Sequence, residues 1–166
     1  IIGDILKNQG QVDHGIDYLY KALKITKSKR NLTQESYVYD QLGLAYWTKG
    51  DTLSSLENHR KSLQLREKVN NTFRQAQSNG NIAMIYSAQG KLKEAIAYYK
   101  ASLKFYNQIN EPSRSAWSAG NIGLMNYWLG NTDDALKYYI ISLDKYTEGQ
   151  ENDGIIWISG QISMVY

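Results

Sequence analysis

The side chains of this sequence that could do chemistry fall into rows at a constant spacing of forty residues. Gln41, Asn81, Asn121 and Gln161 form an amide row. Each offers one carbonyl acceptor and two N–H donors, so each can pair with the N–H and the C=O of an extended peptide, reading backbone and not side chains. Tyr37, Trp117 and Trp157 form an aromatic row that Gln77 interrupts, with Trp47 and Tyr127 further along the same segments. Such rings dominate recognition energies where they fill or form pockets. A third row is small: Gly80, Gly120 and Gly160, with Asp40 against the trend. Glycine inside a helix costs about 1 kcal/mol relative to alanine, so three in register imply a backbone in close approach. A packing reading stands beside each functional one. Aromatics at helical spacing ordinarily pack on the neighbouring segment, glycines ordinarily let helices approach, and amides on an open wall are ordinarily hydrated.

Catalytic constellations are missing. There is no Cys, and the two histidines, His14 and His59, lie in different forty-residue lines. His59 occupies the position of Tyr99 and Tyr139, which reads as a packed histidine. The phosphate-cradling, dinucleotide, nucleophile-elbow and zinc-helix motifs are absent, and the carboxylates are scattered. The expectation is a non-enzymatic chain without metal or cofactor. Arg74 and Arg114 repeat at forty and read as exposed charge; Lys21, Lys24, Lys27, Lys29 and Arg30 read as a solvated face.

The composition bounds the class. The chain has 166 residues, 42% hydrophobic and 21% charged, with one Pro, which excludes disordered, collagen-like and disulfide-framework proteins. No apolar run reaches the ~18 residues of a membrane span, and no signal-peptide pattern opens the chain. The lack of Cys suits a reducing compartment, and a cytoplasmic location is expected. Net charge is +3 but uneven: residues 1–120 hold 17 Lys/Arg against 10 Asp/Glu, and 121–166 hold 2 against 6.

The elements that must position these rows follow from the period. Written in lines of forty, the sequence aligns without a gap through Ile1-Ile2-Gly3, Gln41-Leu42-Gly43, Asn81-Ile82-Ala83, Asn121-Ile122-Gly123 and Gln161-Ile162-Ser163. Gly10, Gly50, Gly90 and Gly130 keep phase, as do Leu23, Leu63, Leu103 and Leu143. Ile82, Ala83 and Tyr86 mark a helix that stops at Gly90; Leu92, Ala95, Ile96, Tyr99, Ser102, Leu103 and Tyr106 mark a second that runs to about Asn110. Pro112 then opens the next helix. Each line is a helical hairpin, and no window alternates as a strand would.

The spacing Leu42-Gly43-Leu44-Ala45-Tyr46 with Gly50, followed by Gly90 with Ala95, Tyr99 and Leu103 and by Gly130 with Ala135, Tyr139 and Leu143, resembles the tetratricopeptide repeat (TPR). Family repeats usually run 34 residues, so a period of forty resembles the long-helix branch. Departures are Ser55 and Gly15 for the small residue, His59 and Leu19 for the aromatic, and Asn126 for the Tyr. The resemblance implies an all-α fold: a right-handed α-solenoid of stacked antiparallel helix pairs, a TPR superhelix of about nine helices. The expected organisation is one array over 1–166, in lines 1–40, 41–80, 81–120 and 121–160 with another starting at 161–166. It is cut at both ends, with further repeats or a partner beyond.

In such a solenoid the first helix of each pair lines the concave side, which assigns Gln41, Asn81, Asn121, Gln161, Tyr37, Trp47, Trp117, Tyr127 and Trp157 to a peptide-binding groove. The two-lysine, two-asparagine carboxylate clamp of some family members is not found. The expected function is a protein-interaction module for an extended peptide, the scaffold or sensor region of a larger signalling or regulatory protein. Alternatives are a structural spacer that self-assembles into homo-oligomers through exposed ends, and a sensor of a small molecule or signal peptide that regulates an attached effector. Nucleic acid and membrane are not expected partners.

Overall fold

The structure, a computed structural model, describes residues 9–166. Among the described residues there are eight α-helices and no strand. They are α1 (Gln9–Ser28), α2 (Leu32–Lys49), α3 (Thr52–Lys68), α4 (Thr72–Ala88), α5 (Leu92–Gln108), α6 (Pro112–Trp128), α7 (Thr132–Glu148) and α8 (Asn152–Ser163). Ile1, Ile2 and Gly3, which open the first forty-residue line, lie outside the described residues.

A left-handed residue ends a helix about every twenty positions, and it is of two kinds. Gly50, Gly90 and Gly130 have φ of +84°, +71° and +78° and join the first helix of a pair to the second. Arg30, Asn70, Asn110 and Gln150 have φ between 51° and 55° and join the second helix to the next pair. Beyond each, an amide returns to a carbonyl five residues back: Asp51 to Tyr46, Asn71 to Arg66, Lys91 to Tyr86, Glu111 to Tyr106. This closes the last turn and satisfies orphan carbonyls. Gly10 is different, since it falls within the first turn of α1. Pro112 stands at the start of α6, where a missing N–H costs nothing.

The chain divides into two compact units, residues 1–74 and 75–166, with the boundary inside α4. In the first, α2 packs against α1 and α3 over Val12, Ile16, Leu19, Leu23, Val38, Tyr39, Leu42 and Ala45. In the second, α6 packs on α5, α7 and α8, with Ala116, Ala135, Tyr139, Tyr146 and Ile158 buried together. One row is fully buried in both: Leu42, Ile82 and Ile122. Each such side chain contributes about 1.5–3 kcal/mol by leaving water.

Within a pair the second helix is keyed into the first by a ring set over a small residue. A Cβ on Gly43 would lie 2.7 Å from the His59 ring, and one on Gly123 would lie 2.5 Å from the Tyr139 ring. His59 is thus a packed histidine, 1% exposed, as its register implies. Ser55, which stands where Ala95 and Ala135 stand, donates its hydroxyl to the Gly43 carbonyl at 2.8 Å. A buried serine row adds to this: Ser62 and Ser142 of the second helices donate to the carbonyls of Ser36 and Ala116 of the first helices of the same pairs at 2.7 Å, whereas Ser102 of α5 shares a 3.1 Å bond with Ser118 of the next pair.

Candidate functional site

The second unit carries a depression of about 460 Å³ on the first helices of its pairs. α4 supplies Gln77, Gly80, Asn81 and Met84; α6 supplies Ser113, Arg114 and Trp117. Tyr106 at the end of α5, Tyr146 at the end of α7 and Glu151 complete the wall. Gln77, Asn81 and Met84 lie on one side of α4 because they are three or four residues apart. Trp117 is held from two directions. Its ring meets Tyr99 edge-on, centroids 5.4 Å apart, and a Cβ on Gly80 would come within 3.3 Å of it. The next pair repeats the device, with the Trp157 ring 2.7 Å from a Cβ on Gly120. The small row thus exists so that the tryptophan of the following pair can lie over it. At Gly160, which is exposed, nothing lies within 4 Å.

Both tryptophans retain an exposed edge, Trp117 at 36% and Trp157 at 37%. They therefore pack and face solvent at once. The polar groups of the depression are balanced: Arg114 pairs with Glu111 at 3.5 Å, and Ser113 donates to Glu151 at 3.0 Å. Burial, with the nearby Glu151 carboxylate, pushes the Tyr146 phenol up, so it stays a neutral hydroxyl across the physiological range.

The four amides Gln41, Asn81, Asn121 and Gln161 are all half-buried, so the row keeps one environment. Only Asn81 lines the depression. Asn121 donates its Nδ2 to the Trp117 carbonyl of its own helix at 2.8 Å. Of the rings, Trp117 lines the depression, whereas Trp157 sits on α8 over Gly120. Tyr127, 36% exposed, is ten residues beyond Trp117 on α6, about 15 Å along the helix axis. Tyr37, Gln41 and Trp47 belong to α2 in the first unit, where Tyr37 borders a separate cavity of about 230 Å³ with Gln34, Asn71 and Arg74. Gln77, an interruption in the aromatic row, is a wall residue of the depression, as are Met84, Ser113, Tyr106, Tyr146 and Glu151. Tyr106 with Tyr146 and Glu111 with Glu151 are themselves rows at forty, a signal that could have marked this wall.

In the first unit the same positions carry a different chemistry. Asp40 stands in the register of Gly80, His59 in that of Tyr99 and Arg66 in that of Tyr106, and all three are at least 97% buried. Arg66 meets the Asp40 carboxylate at 3.0 Å, His59 Nδ1 lies 3.1 Å from it, and Arg66 also donates to the Arg74 carbonyl at 3.1 Å. Burial alone would raise the Asp40 carboxyl, but the His59 hydrogen bond and the Arg66 charge outweigh it and hold the group below the ordinary carboxylate value. Among the described residues no group of three His, Asp or Glu could hold a metal ion, and no helix is long and apolar enough to cross a membrane.

The chain has the fold of several solved structures at low identity. The apo form of RapI aligns with a TM-score of 0.80 at 14% identity, over 92% of this chain and 44% of RapI. Aspartyl phosphate phosphatase F from Bacillus subtilis aligns with a TM-score of 0.80 at 14% identity, over 93% of this chain and 42% of that one. A Rap protein complexed with competence and sporulation factor aligns with a TM-score of 0.72 at 17% identity, over 95% and 44%. The chain spans less than half the length of each. No curated protein matches it by sequence. Tetratricopeptide repeat family models match residues 34–108 and 74–148, and another matches 1–29. Paired helices closed by left-handed residues agree with those matches, and the chain belongs to the tetratricopeptide repeat family, a scaffold for protein–protein interaction.

Proposed function

We propose that the chain is a peptide-binding module, and that the depression of the second unit takes an extended segment of a partner protein. One observation carries this reading: the cavity of about 460 Å³ joins an amide-row residue, Asn81, to an aromatic-row residue, Trp117, on successive first helices. Asn81 pairs with the ligand backbone while Trp117, Met84 and Gln77 form the seat of one of its side chains. Asn121 and Gln161 extend the amide row, and Trp157 and Tyr127 extend the aromatic one, for further residues of the same segment. Gln41, Tyr37 and Trp47 serve in the same way in the first unit. Likeness to a Rap protein solved with competence and sporulation factor supports a peptide as the class of ligand. The array is then the scaffold or sensor region of a larger cytoplasmic signalling protein, within one continuous run of repeats over 1–166.

Replacing Asn81 and Asn121 together by Ala tests the reading. Each direct hydrogen bond contributes about 0.5–1.5 kcal/mol, so the double change should weaken capture of peptide by roughly tenfold or more, while helicity and melting stay near the parent's. Peptide capture that survives both Asn81→Ala/Asn121→Ala and Trp117→Ala, measured by calorimetry on a displayed-peptide hit, would falsify it.

A further inference from the structure

The basic segment of α1 has no part in the depression. From Tyr18 to Gln34 the sequence holds Lys21, Lys24, Lys27, Lys29 and Arg30 and no acidic residue. α1 brings three of these to one cavity of about 280 Å³, whose lining is Tyr20, Lys21, Leu23, Lys24 and Lys27. Among the described residues none of Lys21, Lys24 and Lys27 has a carboxylate within ion-pair distance. The ammonium groups of Lys21 and Lys27 turn to rings instead: Lys21 lies 5.0 Å from the Tyr18 centroid and Lys27 5.5 Å from that of Tyr39, which Lys61 of α3 also approaches at 5.7 Å. Lys61 already has the Glu57 carboxylate at 2.6 Å, whereas Lys21, Lys24 and Lys27 add three cations to one face of α1, so a carboxylate brought to that face is attracted by all three. The helix dipole accounts for Lys27 in the last turn, but its influence fades within that turn and does not reach Lys21 or Lys24.

We propose that this face of α1 docks an acidic protein segment, with carboxylates flanking a bulky apolar residue. The three lysines are spaced three residues apart, about 4.5 Å per step along the helix, and form a ladder for carboxylates at helical or extended spacing. The Tyr20–Leu23 floor between them takes the apolar side chain. A lipid surface fits less well, because Val12, Ile16 and Leu19 of α1 are buried in the core of the first unit and the exposed Tyr18, Tyr20 and Ile25 make too narrow an apolar band to insert.

The test uses the 166-residue chain and two fluorescein-labelled peptides, Glu-Glu-Leu-Phe-Glu-Glu and its counterpart with every Glu replaced by Gln, read by anisotropy. The acidic peptide should bind about tenfold tighter or more at low salt, and that preference should shrink as salt is raised. The triple variant Lys21→Gln/Lys24→Gln/Lys27→Gln should lose the preference, and so should the milder Lys24→Glu, with unchanged helicity. Trp117→Ala should keep it, which separates this surface from the depression of the second unit. Equal binding of the two peptides, or a preference that survives in both lysine variants, overturns the proposal. So does displacement of the acidic peptide by oligouridylate or by phosphatidylserine vesicles at lower concentration than by itself, since the surface would then serve a nucleic acid or a membrane.

Discussion

Single residues in this chain carry different duties according to what lies one repeat away. Gly120 and Gly160 share a register, yet a Cβ at Gly120 would meet the Trp157 ring at 2.7 Å, whereas one at Gly160 would meet nothing within 4 Å. Gly120→Ala should therefore lower stability by about 1–3 kcal/mol through overpacking, and Gly160→Ala should raise it by about 0.5–1 kcal/mol through helix propensity. Urea titrations of the two variants check the opposite signs. Asp40 gives a pH signature. Its carboxyl is depressed in the folded state, so the folded state releases that proton more readily than the unfolded chain does. The stabilisation is complete above the unfolded value near ~4 and is lost as pH falls through the depressed one. Asp40→Asn should flatten the acid limb of the stability profile below about pH 4, followed by circular dichroism.

At the scale of helices, the pairs use two solutions for one junction. The second unit fills it with Gly, Tyr and Tyr; the first fills it with Asp40, His59 and Arg66. Removing one member of a buried ion pair strands the other, so Arg66→Met should cost about 3–5 kcal/mol. The combined change Asp40→Gly, His59→Tyr and Arg66→Tyr, which installs the chemistry of residues 80, 99 and 106, should cost less than that single substitution, as thermal melts would show. The triad was not legible beforehand. Its members are 19 and 26 residues away from Asp40, differ in type, and form no row; only their register against Gly80, Tyr99 and Tyr106 connects them. The helices themselves were legible, because Gly50, Gly90 and Gly130 take the left-handed conformation their phase implies and Pro112 opens α6. Of the candidate site, the amide row can be seen in the sequence, but which of its members border a cavity depends on the rotation of each helix and on rotamers, such as the Asn121 amide turned back to its own helix.

For the whole molecule, a constant period makes each pair answer to its neighbours in sequence and not to a central core. A chain in which residues 81–120 occur twice in tandem should fold and melt no lower than the parent. One extra residue between Ala119 and Gly120 should instead turn the rest of α6 by about 100° and remove Ile122 and Met125 from the interior. Calorimetry distinguishes the two outcomes. The ring of Trp117 gives the molecule a further property. One side of that indole seals the seam between α4 and α6 at Gly80, and the other borders the open hollow. A peptide held in the hollow, as proposed, would lean on the seam and brace adjoining repeats against each other. Occupancy would then be converted into stiffness without any hinge or lid.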